Sequence, residues 1–333
     1  MNNSRAEPLI SVINICYNTG SRILITLASI KAQTFKEFEI IIADDASTDC
    51  SVELIEKWID SNPDVNAHLM KNNFNCGIPK TLNKALQLCK GKYVSIIGDD
   101  VWTPLLLEKQ VSHLTHSDNG IALIFSKVNC LNVSENIYQA DLKLLDTIAS
   151  LGFKESDVLE PVCEDVYRMR NPELHHLLLR FNVVVVFTAL IKKDILISNG
   201  SFDEQYDFED YPLWLKLSKK YEFLYLDKTL ATYMRYPTNY SNTFQHKLEL
   251  NELKLLTNSY DKNLPADTLV RLQTRFVLCF NNLLKIAIRT RDITLLRKLF
   301  KESMKFMCWP NNSTLQYIKI KIKKKLSKNK STN

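Results

Sequence analysis

Apolar residues follow two alternating patterns along the first 130 positions of the chain. Short runs rich in Ile and Val predict β-strands at residues 9–15, 39–43, 65–70, 93–97 and 121–125. Helical spacing predicts helices between them at residues 22–32, 51–60 and 78–89, and Thr103-Pro104 marks the start of a fourth. Strands that alternate with helices are typical of an α/β protein whose mostly parallel, Rossmann-like sheet is flanked by helices.

The ends of these helices carry local signals. Asp49 stands before the second helix, where its carboxylate would cap the first turn. Gly91 follows the third helix, where a glycine commonly ends a helix. Beyond residue 247 the spacing of Leu and Phe becomes helical again and predicts a C-terminal helical appendage.

The domain organisation follows from these patterns. We expect a first domain at residues 1–245, with one half at about 8–130 and a second half at about 131–245. A helical appendage would occupy residues 246–314, and a basic tail residues 315–333. In the tail, Ile and Leu alternate with Lys in a way that suits either a strand or an amphipathic helix. The tail could therefore bind an anionic membrane or act as a disordered, solubilising segment.

Glycine content excludes two nucleotide-binding motifs. The chain has 7 glycines in 333 residues, and no two stand closer than Gly91 and Gly98. The G-x-G-x-x-G turn and the G-x-x-x-x-G-K-[ST] loop both need glycines within five residues of one another. Any nucleotide ligand would have to be bound without these motifs.

The net charge of +6 does not indicate a nucleic-acid partner. Seven lysines and no acidic residue lie in the last 17 positions, so residues 1–316 sum to −1. A duplex-binding protein is expected to carry its basic residues across a folded face. We therefore expect a nearly neutral body with a basic tail.

The eight cysteines lack the C-x-x-C and Cys/His spacings of zinc sites. The N-terminal segment has no apolar stretch of signal-peptide length, and the longest apolar run, residues 183–191, is too short to span a bilayer. These features favour a cytoplasmic location with reduced thiols. Peripheral contact with the inner face of the membrane stays open.

Carboxylate pairs follow two of the predicted strands. Asp44-Asp45 follows the second strand, and Asp99-Asp100 follows the fourth strand. Both pairs should therefore lie at one edge of a parallel sheet, where ligands bind in such folds. Mg²⁺ or Mn²⁺ held by one or two carboxylates and by phosphate oxygens would bind a nucleotide diphosphate. The first pair could instead accept hydrogen bonds from a base or ribose, or form a turn with helix caps.

A third acidic element, Glu209-Asp210, precedes an apolar helical pattern that begins at Pro212. A carboxylate at a helix N-terminus is stabilised in its ionised form. This state suits a general base or a ligand, and it suits a plain cap equally well.

Five segments in order resemble glycosyltransferase family 2, which has the GT-A fold. They are SVINICYN, SIKAQTFKEFEIIIADDASTD, NCGIPKTLNKAL, GKYVSIIGDDVWTP and GSFDEQYDFEDYPLWLKL. The resemblance spans about residues 9–241, and bacterial enzymes that build O-antigen or capsule polysaccharide are most similar in character. It implies that residues 1–245 form the catalytic domain, with a nucleotide-sugar-binding half at about 8–130 and an acceptor half at about 131–245.

The resemblance implies an inverting transfer of a sugar from a nucleotide-diphosphate donor, expected to be a UDP-sugar, to a saccharide or lipid-linked acceptor. It implies Asp210 as the catalytic base and Asp100 as the ligand of Mg²⁺ or Mn²⁺. The donor contacts that it implies are Tyr17 and Asp45 at the base, Lys80 near the nucleotide, Asp99 at the ribose and Arg235 at the diphosphate.

Three positions depart from the family pattern. Ile97 stands where many members have another acid, and Ala46 replaces a glycine of the acidic turn, which predicts a slightly different turn. The downstream Tyr-Arg-x-His element reads Tyr233-Met234-Arg235-Tyr236 and lacks the His. Two other functions stay open: a catalytically inactive relative that binds nucleotide or carbohydrate, and a metal-dependent nucleotidyltransferase.

Overall fold

A computed structural model of the chain describes residues 7–139, 144–239, 245–290 and 292–306. Its strands are β1 (Ile10–Cys16), β2 (Phe38–Asp44), β3 (Ala67–Lys71), β4 (Tyr93–Ile97), β5 (Val101–Trp102), β6 (Ile121–Asn132), β7 (Ile137–Gln139), β8 (Leu159–Cys163), β9 (Val166–Met169), β10 (Leu190–Lys192) and β11 (Glu222–Arg235).

Its helices are α1 (Arg22–Lys31), α2 (Ser51–Ser61), α3 (Ile78–Leu86), α4 (Leu106–Leu114), α5 (Leu144–Ser150), α6 (Glu155–Val158), α7 (Glu173–Arg180), α8 (Lys193–Ser198), α9 (Asp210–Leu217), α10 (Gln245–Asn258), α11 (Ala266–Arg289) and α12 (Ile293–Phe306). A short 3₁₀ turn spans Val186–Thr188. Among the described residues, no helix is long and apolar enough to cross a lipid bilayer.

One sheet contains the described strands, in the order β3-β2-β1-β4-β10-β6-β11-β9-β8. The four strands β3, β2, β1 and β4 are parallel, β10 is antiparallel to both of its neighbours, and β11 is parallel to β6. The predicted mostly parallel sheet flanked by helices is confirmed. Its strand ends bring the candidate residues to one edge.

The core lies on both faces of the central strands. Ile13 of β1, Ile41 of β2 and Ile96 of β4 are at most 2% exposed, and so are Val12, Ile40 and Ile97, so both faces of these strands are buried. The polar residues within them are buried as well: Ser11, Asn14, Glu39 and Ser95. Helix α1 buries Ile23, Leu27 and Ile30 at helical spacing. Each fully buried side chain of this kind contributes roughly 1.5–3 kcal/mol to the free energy of unfolding.

Gly91 has a different role from the expected one. Helix α3 ends at Leu86, so Gly91 lies outside the helix terminus. A Cβ atom at Gly91 would lie 2.5 Å from the backbone nitrogen of Ser11 and 2.6 Å from the backbone carbon of Ile10. The glycine is required because the chain passes directly against β1 as it enters β4.

The chain divides into two compact units, Met1–Phe244 and Gln245–Asn333. In the second unit, α11 buries Leu272, Phe276, Phe280 and Leu283 along one face, and Arg275 forms an ion pair with Glu252 of α10. The predicted C-terminal helices are confirmed. The basic tail at residues 315–333 lies outside the described residues.

Charge is divided unequally between the two units. Residues 1–244 contain 24 Lys and Arg against 31 Asp and Glu, a net charge of −7, whereas residues 245–333 contain 19 against 6, a net charge of +13. The nearly neutral body that we expected combines an acidic first unit with a basic helical segment. The basic character of the chain is therefore not restricted to the last 17 residues.

Candidate active site

The loops that follow β1, β2 and β4 lie side by side because these strands are adjacent and parallel. Asn18, after β1, connects two of these loops. Its backbone N–H donates to Ser47 Oγ at 2.9 Å, and its Oδ1 accepts from the backbone N–H of Thr48 at 2.8 Å. The acidic turn after β2 is thereby fixed against the loop that carries Tyr17.

Asp45 is the carboxylate expected at the nucleotide base, and only 3% of its surface is exposed. Its Oδ1 accepts hydrogen bonds from Asn72 Nδ2 at 2.9 Å, from Thr81 Oγ1 at 2.8 Å and from the Cys76 N–H at 2.8 Å. Its Oδ2 accepts from the Gly77 N–H at 2.9 Å. Asp45 thus holds the segment that leads into α3, and its contact with a base stays a prediction.

Asp44 closes β2 and is 1% exposed. Its Oδ2 accepts from the backbone N–H of Ser47 at 3.0 Å, and its Oδ1 lies 3.5 Å from the Cys16 thiol. Burial, followed by the charge of Asp44, raises the pKa of that thiol. Ala46 has a φ of 65°, so the turn has left-handed geometry even without a glycine, at a cost of roughly 1–2 kcal/mol.

Asp99 follows β4 and forms an ion pair with Arg22 of α1, with Arg22 Nη2 3.1 Å from Asp99 Oδ2. Both side chains are 21% exposed. Burial raises the pKa of Asp99, and the charge of Arg22 acts in the opposite direction. The guanidinium lies 4.7 Å from the ring centre of Tyr236, and its Nη1 donates to Thr238 Oγ1 at 2.8 Å.

Asp100 is 8% exposed and faces the end of β11. Its Oδ1 accepts from the backbone N–H of Met234 at 3.0 Å. Burial raises the pKa of Asp100 to about 8, and the nearby charge of Asp99 acts in the same direction. The second carboxylate pair is therefore placed where a cation would stabilise its ionised form.

Asp210 begins α9, apart from these contacts. Its Oδ2 accepts from Asn182 Nδ2 at 2.8 Å and its Oδ1 from the backbone N–H of Tyr211 at 2.6 Å. Burial raises the pKa of Asp210, while these hydrogen bonds lower it. Burial, followed by the charge of Asp210, raises the pKa of Glu209 to about 8. The ionised form of Asp210 is the one that these two donors stabilise, an arrangement that suits a general base.

The remaining predicted residues lie at the surface near these groups. Tyr17 is 47% exposed directly after β1. Lys80 is exposed in the first turn of α3, and Arg235 is exposed at the end of β11, with its Nη1 3.4 Å from Gln139 Oε1. The structure thus brings Asp99, Asp100 and the end of β11 together, and holds Asp45 in a separate hydrogen-bond network. The roles of these residues stay predictions.

Three further polar residues at the site were not predicted. Arg22 contacts Asp99, which lies 77 positions further along the chain, and Asn182 contacts Asp210, 28 positions further along. No local sequence pattern indicates pairs of this kind. Lys84 donates to Asn72 Oδ1 at 2.7 Å, one helical turn beyond Lys80. Lys84 lies four positions after Lys80 and therefore on the same face of α3, and this spacing could have indicated it from the sequence.

Divalent-cation binding can be tested against the donor set. No group of three or more His, Cys, Asp or Glu side chains in the described part of the chain is arranged around a common metal position. Mg²⁺ needs only one or two carboxylates when phosphate oxygens and water complete its shell. Asp99 is partly exposed, and the raised pKa of Asp100 is the expected property of a carboxylate that lacks a countercharge. The residues fit a cation that arrives with a diphosphate.

The chain is similar in sequence to known glycosyltransferases. Residues 11–174 match the sequence model of glycosyl transferase family 2. An uncharacterized glycosyltransferase of Haemophilus influenzae is 25% identical over 247 residues, which cover 72% of this chain and 69% of that protein. The UDP-Glc:alpha-D-GlcNAc-diphosphoundecaprenol beta-1,3-glucosyltransferase WfaP of Escherichia coli is 36% identical over 104 residues, or 31% of this chain and 40% of WfaP.

A solved structure shares the fold over nearly the whole chain. The mannosyltransferase PcManGT of Pyrobaculum calidifontis, in complex with GDP-Man and Mn²⁺, aligns with a TM-score of 0.58 and 16% identity, and it covers 95% of this chain and 79% of that one. The strand-end carboxylates lie within the part that matches the family. The chain is therefore a glycosyltransferase whose residues 11–174 form a glycosyl transferase family 2 domain.

Proposed function

We propose that the protein transfers a sugar from a UDP-sugar to a saccharide or lipid-linked saccharide acceptor, with inversion at the anomeric carbon. The different partners of the acidic groups carry this proposal. Asp99 pairs with the Arg22 guanidinium at the strand ends, whereas Asp210 accepts a hydrogen bond from Asn182 at the start of α9. A donor diphosphate needs positive charge, and an attacking hydroxyl needs a base.

Asp210 supplies the base in this mechanism. The acceptor hydroxyl attacks the anomeric carbon on the face opposite the nucleotide, and its proton passes to the ionised carboxylate of Asp210. Asn182 Nδ2 and the Tyr211 N–H hold the two carboxylate oxygens in place. The raised pKa makes Asp210 a stronger base than an exposed aspartate.

The leaving group gains negative charge as the glycosidic bond breaks. Asp100 would hold Mg²⁺ or Mn²⁺, which would stabilise the charge of the departing diphosphate as a Lewis acid. Asp99 is proposed at the ribose. Tyr17 and Asp45 are proposed at the base, with Lys80 near the nucleotide and Arg235 at the diphosphate. A diphosphate leaves without protonation because its basicity is low, so a second catalytic acid is not required.

The names of two similar proteins support the choice of substrates. WfaP is named for UDP-Glc as donor and a diphosphoundecaprenol-linked sugar as acceptor, and PcManGT was solved with GDP-Man and Mn²⁺. We take UDP as the first nucleotide to test because WfaP has the higher identity. A lipid-linked acceptor would place the reaction in the assembly of a cell-surface polysaccharide such as O-antigen or capsule.

Such an acceptor would require the enzyme to work at the inner face of the membrane. Residues 245–333 carry a net charge of +13, which favours an anionic lipid surface at about 1 kcal/mol for each basic residue close to it. We expect deletion of residues 315–333 to move the protein from the membrane fraction to the soluble fraction. Unchanged fractionation would contradict a role of the tail.

A two-step experiment tests the proposed reaction. Thermal unfolding with Mn²⁺ and each of UDP-glucose, UDP-GlcNAc and GDP-mannose identifies the donor, because a ligand that binds the folded state raises the Tm. Release of the nucleoside diphosphate is then measured with an acceptor. Asp100→Asn should reduce the Mn²⁺-dependent shift, whereas Asp118→Asn, at the opposite end of the sheet, should not. Release of pyrophosphate would indicate a nucleotidyltransferase, and binding without turnover an inactive relative.

A further inference from the structure

Arg22 connects three segments around the strand ends. Its Nε donates to the carbonyl oxygen of Thr19 at 3.1 Å, in the loop between β1 and α1. Its Nη2 reaches Asp99 after β4, and its Nη1 reaches Thr238 after β11. The planar group also lies over the ring of Tyr236, 4.7 Å from its centre. The orientation of the guanidinium is thus set by polar contacts along its edge and by the tyrosine ring against its face.

The ion pair between Arg22 and Asp99 can be exchanged for another anion at low cost. Both side chains are 21% exposed, and a partly exposed pair of this kind contributes only about 0–1 kcal/mol to stability. A phosphate group accepts two parallel hydrogen bonds from a guanidinium, and such charge-assisted pairs are about twice as strong as neutral ones. A diphosphate at this position would therefore compete well with the carboxylate.

The location agrees with this chemistry. Arg22 lies at the carboxyl ends of β1 and β4, the edge at which open α/β sheets bind their ligands. The side chain of the other predicted phosphate contact, Arg235, lies beside Gln139 of β7, and no hydrogen bond or ion pair joins that side chain to Asp99 or Asp100 among the described residues. Of these two arginines, Arg22 is the one whose guanidinium is paired with a strand-end carboxylate.

We infer that Arg22 binds the diphosphate of the donor and exchanges its ion pair with Asp99 for one with the phosphate oxygens. This inference rests on the proposed function, because it assigns a residue to the donor site. The exchange leaves Asp99 free to contact the ribose of the donor. Arg22 therefore links diphosphate binding to the contacts of Asp99.

Titration calorimetry on the full chain tests the inference with two pairs of probes, UDP against uridine and GDP against guanosine. For the pair that binds, Arg22→Gln should weaken the affinity for the diphosphate by about 10- to 100-fold and leave the nucleoside affinity unchanged. Arg22→Lys, which retains the charge, should recover part of the loss. Arg168→Gln serves as the matched control, since Arg168 pairs with Asp118 and Glu222 at the opposite end of the sheet.

Each outcome decides a separate point. Equal losses for nucleoside and diphosphate in Arg22→Gln would show that Arg22 only holds the loops, and the inference would be wrong. A diphosphate affinity that falls in Arg235→Gln but not in Arg22→Gln would assign the phosphate contact to Arg235. Failure of the wild-type chain to bind either diphosphate would overturn the proposed function together with the inference.

Discussion

Asn182→Ala should shift the acid limb of the pH–rate profile to higher pH. Asn182 Nδ2 donates one of the two hydrogen bonds that the structure gives to the Asp210 carboxylate, at 2.8 Å. The ionised carboxylate is the form that this bond stabilises, so its loss raises the pKa of Asp210. Because the base works only when ionised, turnover at mildly acidic pH should fall more than turnover at alkaline pH.

The size of the shift follows from the strength of that bond. A hydrogen bond to a charged group contributes about 1.5–3 kcal/mol, and 1.36 kcal/mol corresponds to about one pKa unit. Water can replace part of the interaction because Asp210 is only partly buried by surface area. We therefore expect the acid limb to move by about one pH unit.

The assay measures kcat at saturating donor between about pH 5 and pH 9. Asn83→Ala is the matched control, because Asn83 also donates to a carboxylate, Glu204 Oε1, at 2.9 Å. It should leave the acid limb in place. An Asn182→Ala profile that is lowered equally at all pH values would refute the assignment of Asp210 as a base whose ionisation Asn182 supports.

Two further predictions concern stability. Gly91→Ala should lower the free energy of unfolding by about 1–3 kcal/mol or more, because its Cβ would lie 2.5 Å from the backbone of β1. Gly98→Ala should change it little, since a Cβ at Gly98 would have no heavy atom within 4 Å. Urea unfolding measures both variants, and similar losses of stability would contradict the close approach at Gly91. In the absence of divalent cations, the Tm of Asp100→Asn minus the Tm of the wild type should increase as the pH rises from 5 to 8. The folded chain holds a proton on Asp100 up to its pKa of about 8 and the unfolded chain loses it near 4, so wild-type stability falls over this interval; a constant Tm difference would contradict the raised pKa.

The sequence predicted the central sheet because β1, β2 and β4 are buried on both faces and are therefore rich in Ile and Val. It did not predict the full length of β6, which extends to Asn132 because β11 pairs with it as far as Arg235. Strand β10 lies at the end of the apolar run at residues 183–191, and its position between β4 and β6 is set by pairing rather than by composition.

The site was predicted in part for the same reason. Strand ends and paired carboxylates are local features, and they placed Asp99 and Asp100 correctly at the edge of the sheet. The partners of these groups come from distant segments, as with Arg22 and Asn182. The four hydrogen bonds that the Asp45 carboxylate accepts could not be predicted from the sequence either, because they depend on how the chain before α3 folds.

The separation of donor binding from proton removal is tested most directly by comparing the wild type with Asp210→Asn. Nucleotide affinity and the release of nucleoside diphosphate are measured on the same preparations. Asn retains the side-chain shape but cannot accept the proton, so affinity should stay within about twofold while turnover falls by about 10²- to 10⁴-fold. Full turnover in Asp210→Asn, or a parallel loss of nucleotide binding, would contradict the account.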